Sequence, residues 1–303
     1  GKFMLSTRAF RDQMGLLKKQ GYSAINGNTL LEILRGKEVP QRKYVVISFD
    51  DGFLNVFTHA FPIMKEFGFV GVACIYPEFI GSGGGMSWSQ LKQLQTAGWS
   101  IECHSMSHAD LAKSFPTAEA KKLFLEREIL EPKKQIETHL GTPVQFMVWP
   151  YGIYTEEALK VAKEAGYVGA MTVDGGANYP GLDVFQVKRQ VVYGEDGLEK
   201  FTIRLEMGPI IITETSPRPG EVVSRFSGMH CRIPDLADYS PARYVLNAKV
   251  TGGKLEFGFD PQKRELKANL TGSLKRGSHF FDVYLRDRQT GITCQHGWFF
   301  TLE

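Results

Sequence analysis

The first two thirds of the chain alternate short, continuous apolar runs with stretches of helical periodicity. Residues 44–49 form one such run and residues 70–76 another. Apolar runs without polar alternation are what strands buried on both faces require, so they predict a parallel sheet covered by helices. The segments between them supply those helices. Residues 56–67 have the spacing of one, and Ser87-Trp88-Ser89-Gln90 opens a second with a capping box, running through Thr96. Residues 99–103 return as a strand, 118–140 as a long helix interrupted near Pro132, and 145–149 as a strand. A helix at 156–165 is stopped by Gly166, with strands following at 168–173 and 185–192. Repeated βα units of this kind predict a (β/α) barrel.

Past Thr213 the pattern changes. Thr215-Ser216-Pro217-Arg218-Pro219-Gly220 has linker composition, and beyond it helical periodicity vanishes. Strand patterns at 243–250 and 254–259 flank a Gly252-Gly253 hairpin turn, and those at 279–286 and 292–300 flank a Gly-containing loop. Together with 221–226 and 264–270 they predict a small all-β sandwich of immunoglobulin-like size. The expected division is therefore a barrel at 1–214 and a β-sandwich accessory domain at 215–303. The length of 303 residues agrees with two domains at roughly 150 each.

Composition narrows the function classes. Hydrophobic residues at 43% and charged residues at 23% exclude wholesale disorder. The net charge of +3 does not point to nucleic acid, and the basic excess lies after residue 214, with 13 Lys and Arg against 9 Asp and Glu. No apolar run approaches the ~18 residues that span a bilayer. The start at Gly1-Lys2-Phe3 reads as a processed or trimmed product carrying no signal segment. Cys74, Cys103, Cys231 and Cys294 form no C-x-x-C pair, which argues against a zinc knuckle. Cys231 with Cys294 is a conceivable disulfide, but free buried thiols are the favoured reading.

Three polar clusters fall at expected C-terminal strand ends, the face where barrel enzymes place their chemistry. The first is Ser48-Phe49-Asp50-Asp51-Gly52. Adjacent carboxylates after a strand point in different directions and can hold different tasks, although a turn pair has the same sequence. The second is His104-Ser105-Met106-Ser107-His108, whose imidazoles can converge on one cation. Asp51 completes a two-histidine, one-carboxylate set suited to catalytic zinc, with Co, Ni, Fe or Mn as alternatives. The third is Trp149-Pro150-Tyr151-Gly152, able to lay a backbone N–H and an aromatic wall along a groove.

Asp-Asp-Gly, then His-x-x-x-His, then Pro-Tyr-Gly resembles the polysaccharide deacetylase family (NodB-homology domain, carbohydrate esterase family 4) over roughly residues 3–195. The resemblance implies a distorted (β/α) barrel that removes N-acetyl groups from a GlcNAc-containing polymer with one divalent metal. It implies Asp50 as general base, Asp51, His104 and His108 as metal ligands, and the Tyr151 backbone N–H in an oxyanion hole. Trp149, Pro150 and Arg189 are candidates for the substrate groove. Two departures stand out: Val148 occupies the position where the family has an Arg that braces the catalytic Asp, and no late Leu-x-His supplies a general acid. Lys188 or Arg189 could replace the brace. Residues 10–25 resemble the poly-β-1,6-GlcNAc exopolysaccharide deacetylases, whose motifs are circularly permuted so that the acid His lies upstream.

The reading that follows is an extracytoplasmic, metal-dependent polysaccharide N-deacetylase acting on an exopolysaccharide. Its main competitor is a catalytically impaired polysaccharide-binding protein that retains the metal. A non-haem iron oxygenase would need an antiparallel barrel, and a glycoside hydrolase would need carboxylates set across a sugar rather than adjacent. Gly81-Ser82-Gly83-Gly84-Gly85 lacks the Lys-Ser/Thr of a nucleotide loop and reads as a flexible loop. Trp298, Phe299, Tyr284 and Phe280 could stack on sugars, but alternating aromatics are expected to be core, making the tail a spacer.

Overall fold

The computed structural model describes residues 4–37 and 42–303; the chain start at Gly1-Lys2-Phe3 lies outside them. Two compact units are present. One comprises Gly1–Thr172, Pro180–Val187 and Val192–Phe201, the other Val173–Tyr179, Lys188–Val191 and Thr202–Glu303.

The first unit opens with helix α1 (Thr7–Lys19), capped by the Ser6 hydroxyl, which accepts from the Ala9 N–H. It buries Phe10, Met14 and Leu17 along one face. Strand β1 (Tyr22–Ala24), helix α2 (Gly27–Leu34) and strand β2 (Lys43–Val45) follow, with β1 and β2 paired in parallel. The central sheet contains β3 (Ser48–Phe49), β4 (Val72–Ile75), β5 (Ser100–Cys103), β6 (Phe146–Val148) and β7 (Gly169–Met171), all parallel and in that order. Helices α3 (Phe61–Phe67), α4 (Trp88–Thr96), α5 (Ala118–Leu125), α6 (Glu131–Leu140) and α7 (Glu156–Glu164) connect the strands. Val72, Ala73, Cys74, Ile75, Phe146 and Met147 are all fully buried, which is why their sequences lack alternation. The Ser87–Gln90 capping box at α4 is formed in both directions.

Several sequence expectations need correction. The run at 44–49 is two strands: the Val45 carbonyl accepts from Ile25 and the Ile47 carbonyl from Val72, so the chain changes partner midway. Residues 185–192 are not a strand. Asp183 caps a short 3₁₀ turn, Val184–Gln186, and Val187 makes only one bridge to Met171. Among the described residues the parallel strands form a five-stranded α/β sheet, consistent with the expected distorted (β/α) barrel. The long helix at 118–140 is interrupted near Pro132 as expected: a π-helical turn, Glu126–Leu130, comes just before Pro132 takes the first turn of α6.

Helix α8 (Leu198–Leu205) leads into the second unit, whose strands are β8 (Gly208–Pro209), β9 (Thr213–Ser216), β10 (Val222–Val223), β11 (Gly228–Arg232), β12 (Tyr244–Val250), β13 (Lys254–Asp260), β14 (Glu265–Thr271), β15 (Gly277–Asp287) and β16 (Thr293–Leu302). One sheet runs β10-β16-β15-β12 with β8 also on β16, the other β13-β14-β11-β9. Met229, Cys231 and Leu266 from one sheet and Leu246, Phe281 and Trp298 from the other share one apolar core. The expected hairpin at Gly252-Gly253 does not form, because β12 pairs with β15 and β13 with β14, so the chain crosses between sheets there. The expected linker contains strand β9, paired with β11. All four cysteines are free thiols.

Candidate active site

Parallel strands end on one side, so the segments following β3, β5 and β6 are brought together by topology alone. Asp50 and Asp51 follow β3, His104 follows β5, and Trp149 to Gly152 follow β6. Asp51 is left-handed at φ 72°, and so is Gly52 at φ 81°, where a Cβ would lie 2.9 Å from Ile80 Cδ1.

Asp51, His104 and His108 place one ligand atom each within 4.8 Å of one another. Asp51 Oδ1 lies 3.8 Å from His104 Nε2 and 3.5 Å from His108 Nε2, and Asp50 Oδ2 lies 3.8 Å from His104 Nε2. Tetrahedral metal bonds of ~2.0–2.2 Å set neighbouring ligand atoms about 3.3–3.6 Å apart, close to this spacing. Asp51 Oδ1 is buried and has no hydrogen-bond partner, the state expected of an atom whose partner is a cation. His104 is 2% exposed and its Nδ1 is 2.7 Å from the Val148 carbonyl. A carbonyl only accepts, so Nδ1 carries the proton and the Nε2 lone pair faces Asp51. The residues present therefore fit a divalent metal.

The carbonyl that orients His104 belongs to Val148, the position expected to carry a bracing Arg. Val148 itself is fully buried. Within the second unit, to which Arg189 also belongs, Lys188 donates to the Gly297 carbonyl at 2.6 Å.

Tyr151 stands at φ 60° and is 56% exposed, its ring centroid 4.6 Å from that of His108. Trp149 is a correction. Its ring is fully buried and stacked on Tyr154 at 5.0 Å, and Pro150 is buried too, so neither side chain forms an exposed groove wall. Of the other histidines in this unit, His59 lies in a π-helical turn before α3 and His139 on α6, stacked on Trp88.

The sequence reading missed Tyr76, Phe79 and Phe53. Tyr76 follows β4, with its ring 5.7 Å from His108; it contacts Phe79, which contacts the exposed Phe53. Burial, and then the Asp51 carboxylate, raise the Tyr76 phenol above its ordinary pKa. The strand-end position of Tyr76 was the available signal. Glu128, which accepts from the backbone and hydroxyl of Ser107, was also missed, and nothing in the sequence separates it from the neighbouring Glu126 and Glu131.

Residues 37–170 match the family model for polysaccharide deacetylases. YxkH of Bacillus subtilis is 27% identical over 170 residues, 56% of this chain and 59% of that protein. The poly-β-1,6-N-acetyl-D-glucosamine N-deacetylase of Escherichia coli K12 is 24% identical over 257 residues, 72% of this chain and 37% of that enzyme. The chain thus spans between about a third and three fifths of the length of these two relatives. Among solved structures, IcaB from Ammonifex degensii superposes with a TM-score of 0.59 at 25% identity, covering 66% of this chain and 89% of that one. The sheet, its strand-end loops and the matched segment agree, and residues 37–170 of this chain are similar to the polysaccharide deacetylase family.

Proposed function

We infer that the chain is a metal-dependent hydrolase that removes N-acetyl groups from a GlcNAc-containing exopolysaccharide outside the cytoplasm, releasing acetate. The observation that carries this reading is the triad Asp51, His104 and His108 beside Asp50 at the strand ends of a polysaccharide deacetylase domain. The substrate class is supported by the E. coli relative, named as acting on poly-β-1,6-N-acetyl-D-glucosamine. Such polymers lie outside the cytoplasm, and no helix among the described residues is long and apolar enough to cross a membrane.

In this reading Asp51, His104 and His108 hold the cation, zinc foremost. A bound divalent ion supplies Lewis acidity and an ionisable water at neutral pH. Asp50, whose Oδ2 lies 3.8 Å from His104 Nε2, takes the proton of the attacking water. The Tyr151 backbone N–H, projected by the left-handed turn after Pro150, donates to the developing oxyanion. The exposed Tyr151 ring offers a face to the sugar. The second unit, read as an immunoglobulin-like sandwich, serves as a spacer, since Trp298 and Phe299 are buried and not available for stacking.

The test is acetate release from β-1,6-linked GlcNAc oligomers by metal-stripped protein reloaded with Zn, Co or Ni. Release should require metal and be lost in Asp50→Asn and His104→Ala. Metal uptake without acetate release, on peptidoglycan and chitin fragments as well, would instead support a polysaccharide-binding protein.

A further inference from the structure

Both histidines of the triad sit in one short loop, His104-Ser105-Met106-Ser107-His108, whose backbone is strained. Ser105 has φ 65° and His108 φ 59°, left-handed values that residues bearing a side chain seldom adopt. Such a loop keeps its shape only if its surroundings impose it. Part of the restraint is local: the His104 N–H donates to the Ile75 carbonyl at 2.7 Å, and the His108 N–H to Ser105 Oγ at 2.9 Å.

The rest comes from outside the loop. Glu128 is fully buried, and both its oxygens are turned to the residue next to His108. Oε2 accepts from the Ser107 N–H at 3.0 Å and Oε1 from the Ser107 hydroxyl at 2.9 Å. Arg127 donates to the same Oε1 at 3.2 Å and reaches Glu78 Oε1 at 2.5 Å, while the Glu78 N–H donates to the Met106 carbonyl at 3.2 Å. Glu78, Arg127 and Glu128 thus hold the loop at Met106 and Ser107, the two residues before His108. Glu128 lies within the π-helical turn Glu126–Leu130, and wide turns of this kind recur where a helix serves a site. A carboxylate placed wholly out of water needs such partners, and these partners lead to a metal ligand.

The structure assigns Glu128 as a positioning residue for the metal centre: by clasping Ser107 it fixes the left-handed backbone of His108 and so the direction of its Nε2. The assignment rests on the reading of Asp51, His104 and His108 as metal ligands.

Cobalt and zinc affinities of the full chain, measured by competition with a chromophoric chelator, test it. The visible spectrum of the cobalt form and thermal melting of the metal-free protein are recorded beside them. Glu128→Gln, which keeps the side-chain shape, should weaken metal binding 10- to 100-fold, the usual effect of losing a group that orients a ligand. It should also change the cobalt spectrum. Ser107→Ala should weaken binding less, and adding it to Glu128→Gln should cost little more, because both act through one clasp. Wild-type affinity and an unaltered spectrum in Glu128→Gln would overturn the assignment, as would fully additive losses. Should Glu128→Gln fail to fold, Ser107→Ala, which removes one hydroxyl from a half-buried position, decides alone: unchanged affinity overturns the assignment. If the wild-type chain takes up neither cobalt nor zinc, the metal reading of the site falls and this assignment with it. If wild type binds and the variants bind equally well, only this assignment falls.

Discussion

Of the six non-glycine residues with positive φ among the described residues, Asp51, Ser105, His108 and Tyr151 all belong to the three strand-end loops. Each left-handed residue costs about 1–2 kcal/mol, so the fold holds these loops against their local preference. The residue types of the site were legible in the sequence because carboxylate and imidazole suit the proposed metal site, and strand ends put them on one face. Side-chain direction was not legible. Trp149 and Tyr151 look alike as groove aromatics in sequence, yet one is fully buried and the other 56% exposed. Their substitutions should separate accordingly. Trp149→Ala removes a ring packed on Tyr154 and should lower stability by about 3–5 kcal/mol. Tyr151→Ala should stay within about 0.5 kcal/mol of wild type while raising KM for oligomers. Urea unfolding and oligomer kinetics on the two variants check this, and a reversed pattern would show that the rings had exchanged roles.

Among elements, strands announced themselves where both faces are buried, and helices where caps are chemical, as at Ser87 and Gln90. What was lost were elements decided by a partner elsewhere in the chain. The run at 44–49 divides because β1 takes its first half, and the Gly252-Gly253 turn separates strands because each pairs better elsewhere. Glu102 on β5 shows such a long-range tie. It is buried and accepts from the N–H groups of Gln145 and Phe146, at 3.0 and 2.8 Å, so it secures the start of β6. Burial pushes its pKa up to about 7 against an ordinary 4.5, opposed by those two N–H groups, Ser100 and Lys133. Between these values the folded chain keeps a proton that the unfolded chain has lost. The contribution of Glu102 is therefore full below pH 4.5 and declines as pH rises through about 7, by at most about 3 kcal/mol. Urea midpoints from pH 4.5 to 8 should fall less steeply in Glu102→Gln than in wild type. Parallel profiles would show that Glu102 titrates normally.

At the scale of the whole molecule, composition suggested a division at residues 214 and 215, because proline and glycine cluster there. Contacts draw it differently. The second unit includes Val173–Tyr179 and Lys188–Val191, segments that precede the Pro-rich stretch by many residues. Within that unit the Gly297 N–H donates to the Gly175 carbonyl at 2.7 Å, and Lys188 Nζ donates to the Gly297 carbonyl at 2.6 Å. Trp298 Nε1 donates to the Pro217 carbonyl at 2.9 Å, so the Pro-rich stretch is itself bound into the unit. Pattern reading missed this because short segments supplying single carbonyls carry no periodicity. The consequence is that removing residues 215–303 should not release a clean catalytic domain. Lys188 is 4% exposed, and burial lowers its pKa to about 8 even with Asp174 and Asp282 opposing the shift. Taking away Gly297 and Asp282 removes its carbonyl acceptor and one of the charges that favour its ionised form, and leaves Gly175 without its β16 partner. Losing the partner of a buried charged donor costs about 1–3 kcal/mol or more. The truncated chain should therefore melt below the full chain and aggregate on concentration, with acetate release falling in step with the folded fraction. A truncated chain that matches the full chain in melting temperature and specific activity would show that residues 173–179 and 188–191 hold their conformation without β15 and β16.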